Sequence, residues 1–458
     1  MTATSSASGA EAAIAALLNA PLDPEQAFVR GGATVGEVYG LASWLRAACG
    51  GREERGVICL ATEDRAIIAA SLLASLAGGP VLLLPYTFSV QAFDGIRQAT
   101  GCTTVLADAS SAANLPAGLE IIQAQRGQTG PDLHCFPASP GAELLRLYTG
   151  GSTGAPRIWP KTGCNIFVEA FFLAHHFGVS SQDVIVATIS PYHIYGLLYS
   201  VVLPLVSGAA ILPQTPSFPD EIVRTVQEHK ATMLVSVPAH YRALRGRGAL
   251  GASLRLAFSS AGMLDIEDNT AFSRHNEAGI VEVYGSTETG GIALRNRCRG
   301  EAGFTPYPTV EWTLADQRLH IRSPYLSPEL PRDGADFFVT GDRVEPCAPA
   351  GFQLRGRADS ITKVAGKRVD LEEIRVLIRE QPGVSDCAVL ATADAGGREH
   401  RIVALVEGQA VDIKALRAIL ASRFEPYALP RAIKTIDHLP IKANGKLDRA
   451  AIVRLFQP

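Results

Sequence analysis

Ten consecutive residues, Tyr148-Thr149-Gly150-Gly151-Ser152-Thr153-Gly154-Ala155-Pro156-Arg157, bring three glycines and three aliphatic hydroxyls together and end on a cation. Lacking Cβ atoms, Gly150, Gly151 and Gly154 let the backbone turn sharply and aim several N–H groups at one point. Thr149, Ser152 and Thr153 add hydroxyl donors, and such a nest suits a polyphosphate. Neither GxxxxGKS nor GxxxxGKT can be laid on the string, so it is not a Walker loop. An ordinary Gly/Ser surface loop would share its composition.

The elements that must hold such a loop are legible around it. The chain has 458 residues, 47% hydrophobic and 19% charged, which describes a globular protein of more than one domain. Its formal net charge of −3 gives no cationic field for a nucleic-acid backbone or an anionic membrane, so small-molecule chemistry is favoured over both partners. The eight cysteines are scattered without CxxC spacing and read as free thiols of a cytoplasmic protein. The most membrane-like stretch, 66–84, is broken by Gly78-Gly79-Pro80 and reads as a buried helix, a turn and a buried strand.

Apolar helical spacing over 35–48 and 65–76 alternates with short apolar runs at 56–60 and 81–84, the rhythm of a parallel sheet covered by helices. Similar short runs return at 184–188, 209–212, 233–237, 255–259 and 280–284. After Leu314 the pattern changes to short strands with Pro and Gly turns, a smaller β-rich module. Helix, strand, strand and helix follow over 370–423. The expected fold is α/β: a large N-terminal domain (1–356) of layered parallel sheets with helices and a small β-rich module, then a small mobile α+β C-terminal domain (357–458).

Four further strings follow the glycine-rich loop in order: Tyr284-Gly285-Ser286-Thr287-Glu288; Thr340-Gly341-Asp342; Gly356-Arg357-Ala358-Asp359, running on to Lys363-Val364-Ala365-Gly366-Lys367-Arg368-Val369; and Asn444-Gly445-Lys446-Leu447-Asp448-Arg449. With the loop, they resemble the motif series of the adenylate-forming superfamily, which includes acyl- and aryl-CoA synthetases, peptide-synthetase adenylation domains and luciferases. The resemblance implies that 149–154 and Arg157 hold the ATP phosphates, with Tyr284, Gly285, Ser286 and Thr287 around the nucleotide. Tyr284 would stack on the purine, and Glu288, a hard oxygen ligand, would hold Mg2+. It also implies that Asp342 accepts from the ribose hydroxyls and that Arg357 adds charge-assisted bonds. Lys446 would be the catalytic cation at the α-phosphate, Asp359 the hinge, and Lys363 and Gly366 part of a thiol tunnel. Taken singly, these residues also read as a core tyrosine, a solvated glutamate, a capping aspartate and a surface lysine.

Departures from the pattern mark this chain. Arg157-Ile158 stands where the family usually has Lys-Gly, exchanging a point charge for a planar fork. Thr362 replaces the usual Ile. Pro191-Tyr192-His193-Ile194-Tyr195-Gly196 resembles the aromatic-His stretch of acyl and aryl ligases, and no Asp stands in this stretch to hold a substrate ammonium, so a neutral carboxylic acid is expected. His193 would guard the carboxylate site beside Tyr192; a satisfied core histidine is the alternative. Ser260, Ala261 and Gly262 resemble the strand end beneath the acyl group. Their extra volume relative to paired glycines favours an aryl or short acyl acid over a long chain.

The reading that results is an ATP-dependent, AMP-forming ligase. It makes an acyl-adenylate and then a thioester, with CoA or the phosphopantetheine of a separate carrier protein as acceptor, since no carrier domain follows Lys446. A non-catalytic nucleotide or acyl-adenylate binding protein on the same fold is the rival.

Overall fold

The computed structural model describes residues 3–21, 23–49, 56–85, 90–113, 115–149, 157–348, 351–357, 361–364, 367–393, 400–442 and 447–457. Its first sheet is built from β1 (Val57–Ala61), β2 (Val81–Leu84), β3 (Thr104–Ala107), β4 (Glu120–Gln123), β5 (Glu143–Thr149) and β6 (Arg157–Thr162), in the order β4-β3-β1-β2-β5-β6. The strands run parallel except β6, which returns antiparallel beside β5. β1, β2 and β3 are almost wholly apolar and buried, as strands covered on both faces must be.

The helix Arg65–Leu76 is buried along its whole length, which explains why its sequence carries no polar stripe. Its one cation, Arg65, donates to the Pro213 carbonyl at 3.0 Å and to Thr215 Oγ1 at 2.9 Å, satisfying the buried guanidinium. The membrane-like stretch is therefore a buried helix, a turn and the buried strand β2. Among the described residues, no helix is long and apolar enough to cross a membrane.

A second sheet takes β7 (Val184–Ala187), β8 (Ala210–Ile211), β9 (Met233–Ser236), β10 (Leu256–Ser259), β11 (Val281–Ser286), β12 (Gly290–Asn296) and β13 (Thr305–Pro306), in the order β13-β12-β11-β10-β9-β7-β8. β8, β7, β9, β10 and β11 are parallel, whereas β12 and β13 add antiparallel strands at one edge. Between the two sheets in sequence lies the helix Gly163–Phe177, capped by Thr162 and closed by Gly178 in the left-handed region.

The remaining strands are β14 (Glu311–Ala315), β15 (Arg318–Arg322), β16 (Phe338–Cys347) and β17 (Gly351–Arg357), which form one four-stranded sheet, and β18 (Ile361–Val364) with β19 (Lys367–Asp370), an antiparallel pair. β20 (Val384–Ala393), β21 (His400–Gly408) and β22 (Ala432–Ile436) form the last sheet. In β21 the alternation sends Ile402, Ala404 and Val406 to one apolar cluster with the helices Leu371–Arg379 and Ile413–Arg423. Val403 and Leu405 go to another cluster with Ile452 and Phe456.

The chain divides into two compact units, Met1–Glu311 with Arg322–Pro331, and Trp312–Ile321 with Arg332–Pro458. The small β-rich module thus groups largely with the carboxyl-terminal unit. The 1–356 and 357–458 division turns on a hinge at Asp359, which lies outside the described residues. None of the eight cysteines is disulfide-bonded.

Candidate active site

In the first unit the expected residues gather at the carboxyl ends of four neighbouring parallel strands. β7 leads into Pro191–Gly196, β10 into Ser260-Ala261-Gly262, and β11 carries Tyr284 into Glu288, with β9 between. Open parallel sheets bind ligands at this edge, where loops diverge from rigid strands.

Gly285 sits at a bulge in the β11–β12 register, and a Cβ there would lie 2.3 Å from the Gly290 carbonyl, so no other residue fits. Ser286 N–H donates to Thr289 Oγ1 at 3.0 Å, closing the turn that presents Thr287 and the half-buried Glu288. Tyr284 is half-buried with its ring 5.6 Å from that of Phe304. Ser260 Oγ donates to the Val283 carbonyl at 2.9 Å, fastening the acyl-side turn to the nucleotide-side strand. Ala261 has φ +69° and is exposed together with Gly262.

Tyr192 is buried, its hydroxyl donating to the Thr62 carbonyl at 2.6 Å and accepting from the Thr62 N–H at 3.0 Å. Burial holds this phenol well above its ordinary pKa. Its polar end is thus spent on the first sheet, and Tyr192 anchors the loop that carries His193. His193 is half-buried and precedes the short helix Ile194–Leu197. A Cβ on Gly196 would lie 2.0 Å from the Ser190 carbonyl, which fixes the tight entry to that helix.

Thr149 ends β5 and Arg157 opens β6, and the two are register partners. The ends of the glycine-rich segment therefore lie side by side, while Gly150, Gly151, Ser152, Thr153 and Gly154 lie outside the described residues. Arg157 is exposed. Ile158 packs against the core cluster containing Tyr148, so the side chain that replaces the usual glycine is absorbed by the first sheet.

In the second unit, Asp342 of β16 and Arg357 of β17 are register partners, with Arg357 Nη1 3.7 Å from Asp342 Oδ1. A Cβ on Gly341 would stand 2.7 Å from Arg357 Nη2, so the glycine leaves room for the guanidinium. Lys363 lies in β18 opposite Arg368. Gly366, Asp359 and Lys446 lie outside the described residues.

Three residues near this edge were not singled out by sequence. Lys161 is 1% exposed, and its Nζ donates to the carbonyls of Glu288 (3.0 Å) and Tyr325 (2.7 Å). Glu169, also buried, accepts from the Gly291 N–H at 2.9 Å. Burial lowers the ammonium's pKa and raises the carboxyl's, and the charge of each opposes the shift of the other. His240 has Nδ1 2.7 Å from Thr188 Oγ1, bridging the ends of β7 and β9, and burial lowers its pKa. A lone charge inside an aromatic stretch was the available signal for Glu169, whereas nothing local marks Lys161.

The donor set fits a magnesium ion in one respect: Glu288 is a hard carboxylate on a rigid turn, and Mg2+ is commonly held by one or two carboxylates plus phosphate and water. Comparison with known proteins agrees with the geometry. Residues 36–335 match the family described as AMP-binding enzyme, and residues 373–446 match its C-terminal domain. The chain belongs to the AMP-binding enzyme family.

Among AMP-binding enzymes, it is 26% identical over 390 residues to the sulfoacetate–CoA ligase of Cupriavidus necator, covering 79% of this chain and 75% of that protein. It is 28% identical over 301 residues to the 4-coumarate–CoA ligase of Rhodobacter capsulatus, covering 65% and 73%. ATP-bound MatB from Rhodopseudomonas palustris shares the fold with a TM-score of 0.81 at 19% identity, over 97% of this chain and 99% of that one. The α/β fold expected from the alternation of apolar helical and extended segments is present.

Proposed function

We propose that this AMP-binding enzyme activates a carboxylic acid with ATP as an acyl-adenylate and then transfers the acyl group to the thiol of CoA. The observation that carries the reading is that the His193 loop, the Ser260–Gly262 turn and the Tyr284–Glu288 turn all leave the same end of the second sheet, from β7, β10 and β11, in a chain of this family. In the first half-reaction the acid's carboxylate attacks the α-phosphate and pyrophosphate leaves. In the second, the pantetheine thiol displaces AMP. Tyr284 offers its ring to the purine, Asp342 accepts from the ribose hydroxyls, and Arg357 and Arg157 supply positive charge to the nucleotide.

Lys446 stabilises the charge that shifts between the attacking carboxylate and the α-phosphate, and His193 orients the acid. Magnesium, when bound, neutralises charge gathering on the phosphates, and Glu288 is the residue that would hold it. Lys363 and Gly366 line the path of the thiol, and Asp359 marks the hinge of the 357–458 lid.

The acid is aryl or short acyl. Support comes from the side-chain volume at Ser260 and Ala261, and from relatives named for one acid of each kind, 4-coumarate and sulfoacetate. The same names support free CoA rather than a carrier protein. We place the reaction in the cytoplasm, where ATP and CoA are supplied and the eight thiols stay reduced. Acid-dependent exchange of labelled pyrophosphate into ATP, run across aryl and short acyl acids, tests the proposal. Exchange with no acid in such a panel would leave a non-catalytic binder of nucleotide or acyl-adenylate.

A further inference from the structure

We propose that Lys161, buried within electrostatic reach of Glu169, is a positioning residue that fixes the Glu288 turn to the strand leaving the glycine-rich loop, and so sets how strongly magnesium is coupled to ATP. The inference rests on the assignment of Glu288 above and concerns two residues that no motif includes.

The Glu288 carbonyl accepts twice, from Lys161 Nζ at 3.0 Å and from the Ser327 N–H at 2.8 Å. Lys161 also holds the Tyr325 carbonyl, and Ser327 Oγ returns to the Pro160 carbonyl at 2.9 Å. Residues 160–161, 288 and 325–327 thus close a ring of hydrogen bonds. From the other side Glu169 takes the Gly291 N–H at 2.9 Å, and a Cβ on Gly291 would lie 2.5 Å from Glu169 Oε1. The turn is therefore gripped at Glu288 and again three residues later.

Lys161 stands four residues after Arg157 on the same strand, β6. A change at the phosphate-loop strand is thereby transmitted to the Glu288 backbone through one side chain. Burying a lysine and a glutamate in this way is a poor stability device, because an apolar pair of equal volume usually serves stability as well or better. What the ammonium adds is a fixed position for two carbonyls, of which one belongs to Glu288. Groups that orient a metal ligand in this manner commonly govern metal affinity.

Two variants test the proposal, Lys161→Met and Lys161→Met/Glu169→Gln, the second leaving no unpaired buried charge. Each is measured by calorimetry for ATP affinity with Mg2+ and with EDTA, by magnesium titration of pyrophosphate exchange, and by melting temperature. The expected result is that the double variant melts near the wild type while the gain in ATP affinity on adding Mg2+ falls about tenfold, with the half-saturating Mg2+ rising in step. Both variants should still make thioester from supplied acyl-adenylate. A folded double variant with the wild-type magnesium linkage overturns the positioning role, as does a single variant that melts early yet keeps that linkage. If the wild type shows no acid-dependent exchange, the ligase reading fails, and the calorimetric comparison still decides the role of Lys161.

Discussion

At the scale of single residues, Glu288 and Ala261 separate chemistry from architecture. The hydrogen bonds at Glu288 engage its backbone carbonyl, so Glu288→Gln leaves the ring with Lys161 and Ser327 intact and alters only the side chain. A neutral amide is a poorer ligand for a hard dication, and the variant should need more Mg2+ and adenylate more slowly at an unchanged melting temperature. A magnesium titration identical to the wild type would remove Glu288 from the metal site. Ala261 holds φ +69°, a backbone conformation that glycine adopts without the Cβ penalty. Ala261→Gly should raise stability by roughly 0.5–1 kcal/mol. If the methyl also walls the acyl site, the same variant should shift preference toward bulkier acids by about 1 kcal/mol per accommodated methylene. A raised melting temperature with an unmoved acid profile would make Ala261 a turn residue and no more.

At the scale of elements, the second sheet is held at the end away from the site by Asp183. Its carboxylate accepts from Arg255 Nε (2.8 Å) and Nη2 (2.6 Å), from Thr232 Oγ1 (2.8 Å) and from the Ser180 N–H (3.0 Å). Burial alone would raise this carboxyl's pKa, but the Arg255 fork and the other donors outweigh it and hold the group below its ordinary value. A depressed folded pKa contributes stability that is present above the unfolded value, about 3.9, and is lost as pH falls through the folded one. Asp183→Asn should therefore cost about 2 kcal/mol at neutral pH. The gap from the wild type should narrow below about pH 4; a gap constant from pH 7 to pH 3 would show that the charge is not what matters.

Strands such as β7, β9 and β10 were legible in sequence because each is a short apolar run buried on both faces. The reversal of β6, β12 and β13 was not, because strand direction depends on pairing between residues far apart in the chain. The same reason hid Lys161: its partners at 288 and 325 are 127 and 164 residues away. The motif strings were legible because their glycines stand where a Cβ would clash, with backbone at Gly285 and with the Arg357 guanidinium at Gly341.

At the scale of the whole molecule, the proposed division of labour is between two half-reactions and two segments of the carboxyl-terminal region. In this proposal adenylation would use Lys446 and thioester formation the Gly366 segment, with Asp359 as the hinge between the two working arrangements. Lys446→Ala should accordingly abolish pyrophosphate exchange and spare thioester formation from supplied acyl-adenylate; equal loss of both would contradict its assignment. Proline at Asp359 fixes φ near about −65° and removes one N–H, so only one of the two arrangements should remain reachable. We expect Asp359→Pro to retain pyrophosphate exchange and to lose thioester formation. Were Asp359 an ordinary surface residue, both half-reactions would survive. Were proline simply to unfold the region, both would fail with a lowered melting temperature. The core of the carboxyl-terminal unit around Ile374, Ile402 and Leu416 draws mainly on elements that begin beyond residue 370, with Val364 and Val369 added from β18 and β19, so the melting curve is essential to the test. Both half-reactions and a melting curve, measured on one preparation, distinguish the three outcomes, and intact thioester formation in a well-folded Asp359→Pro variant would refute the hinge.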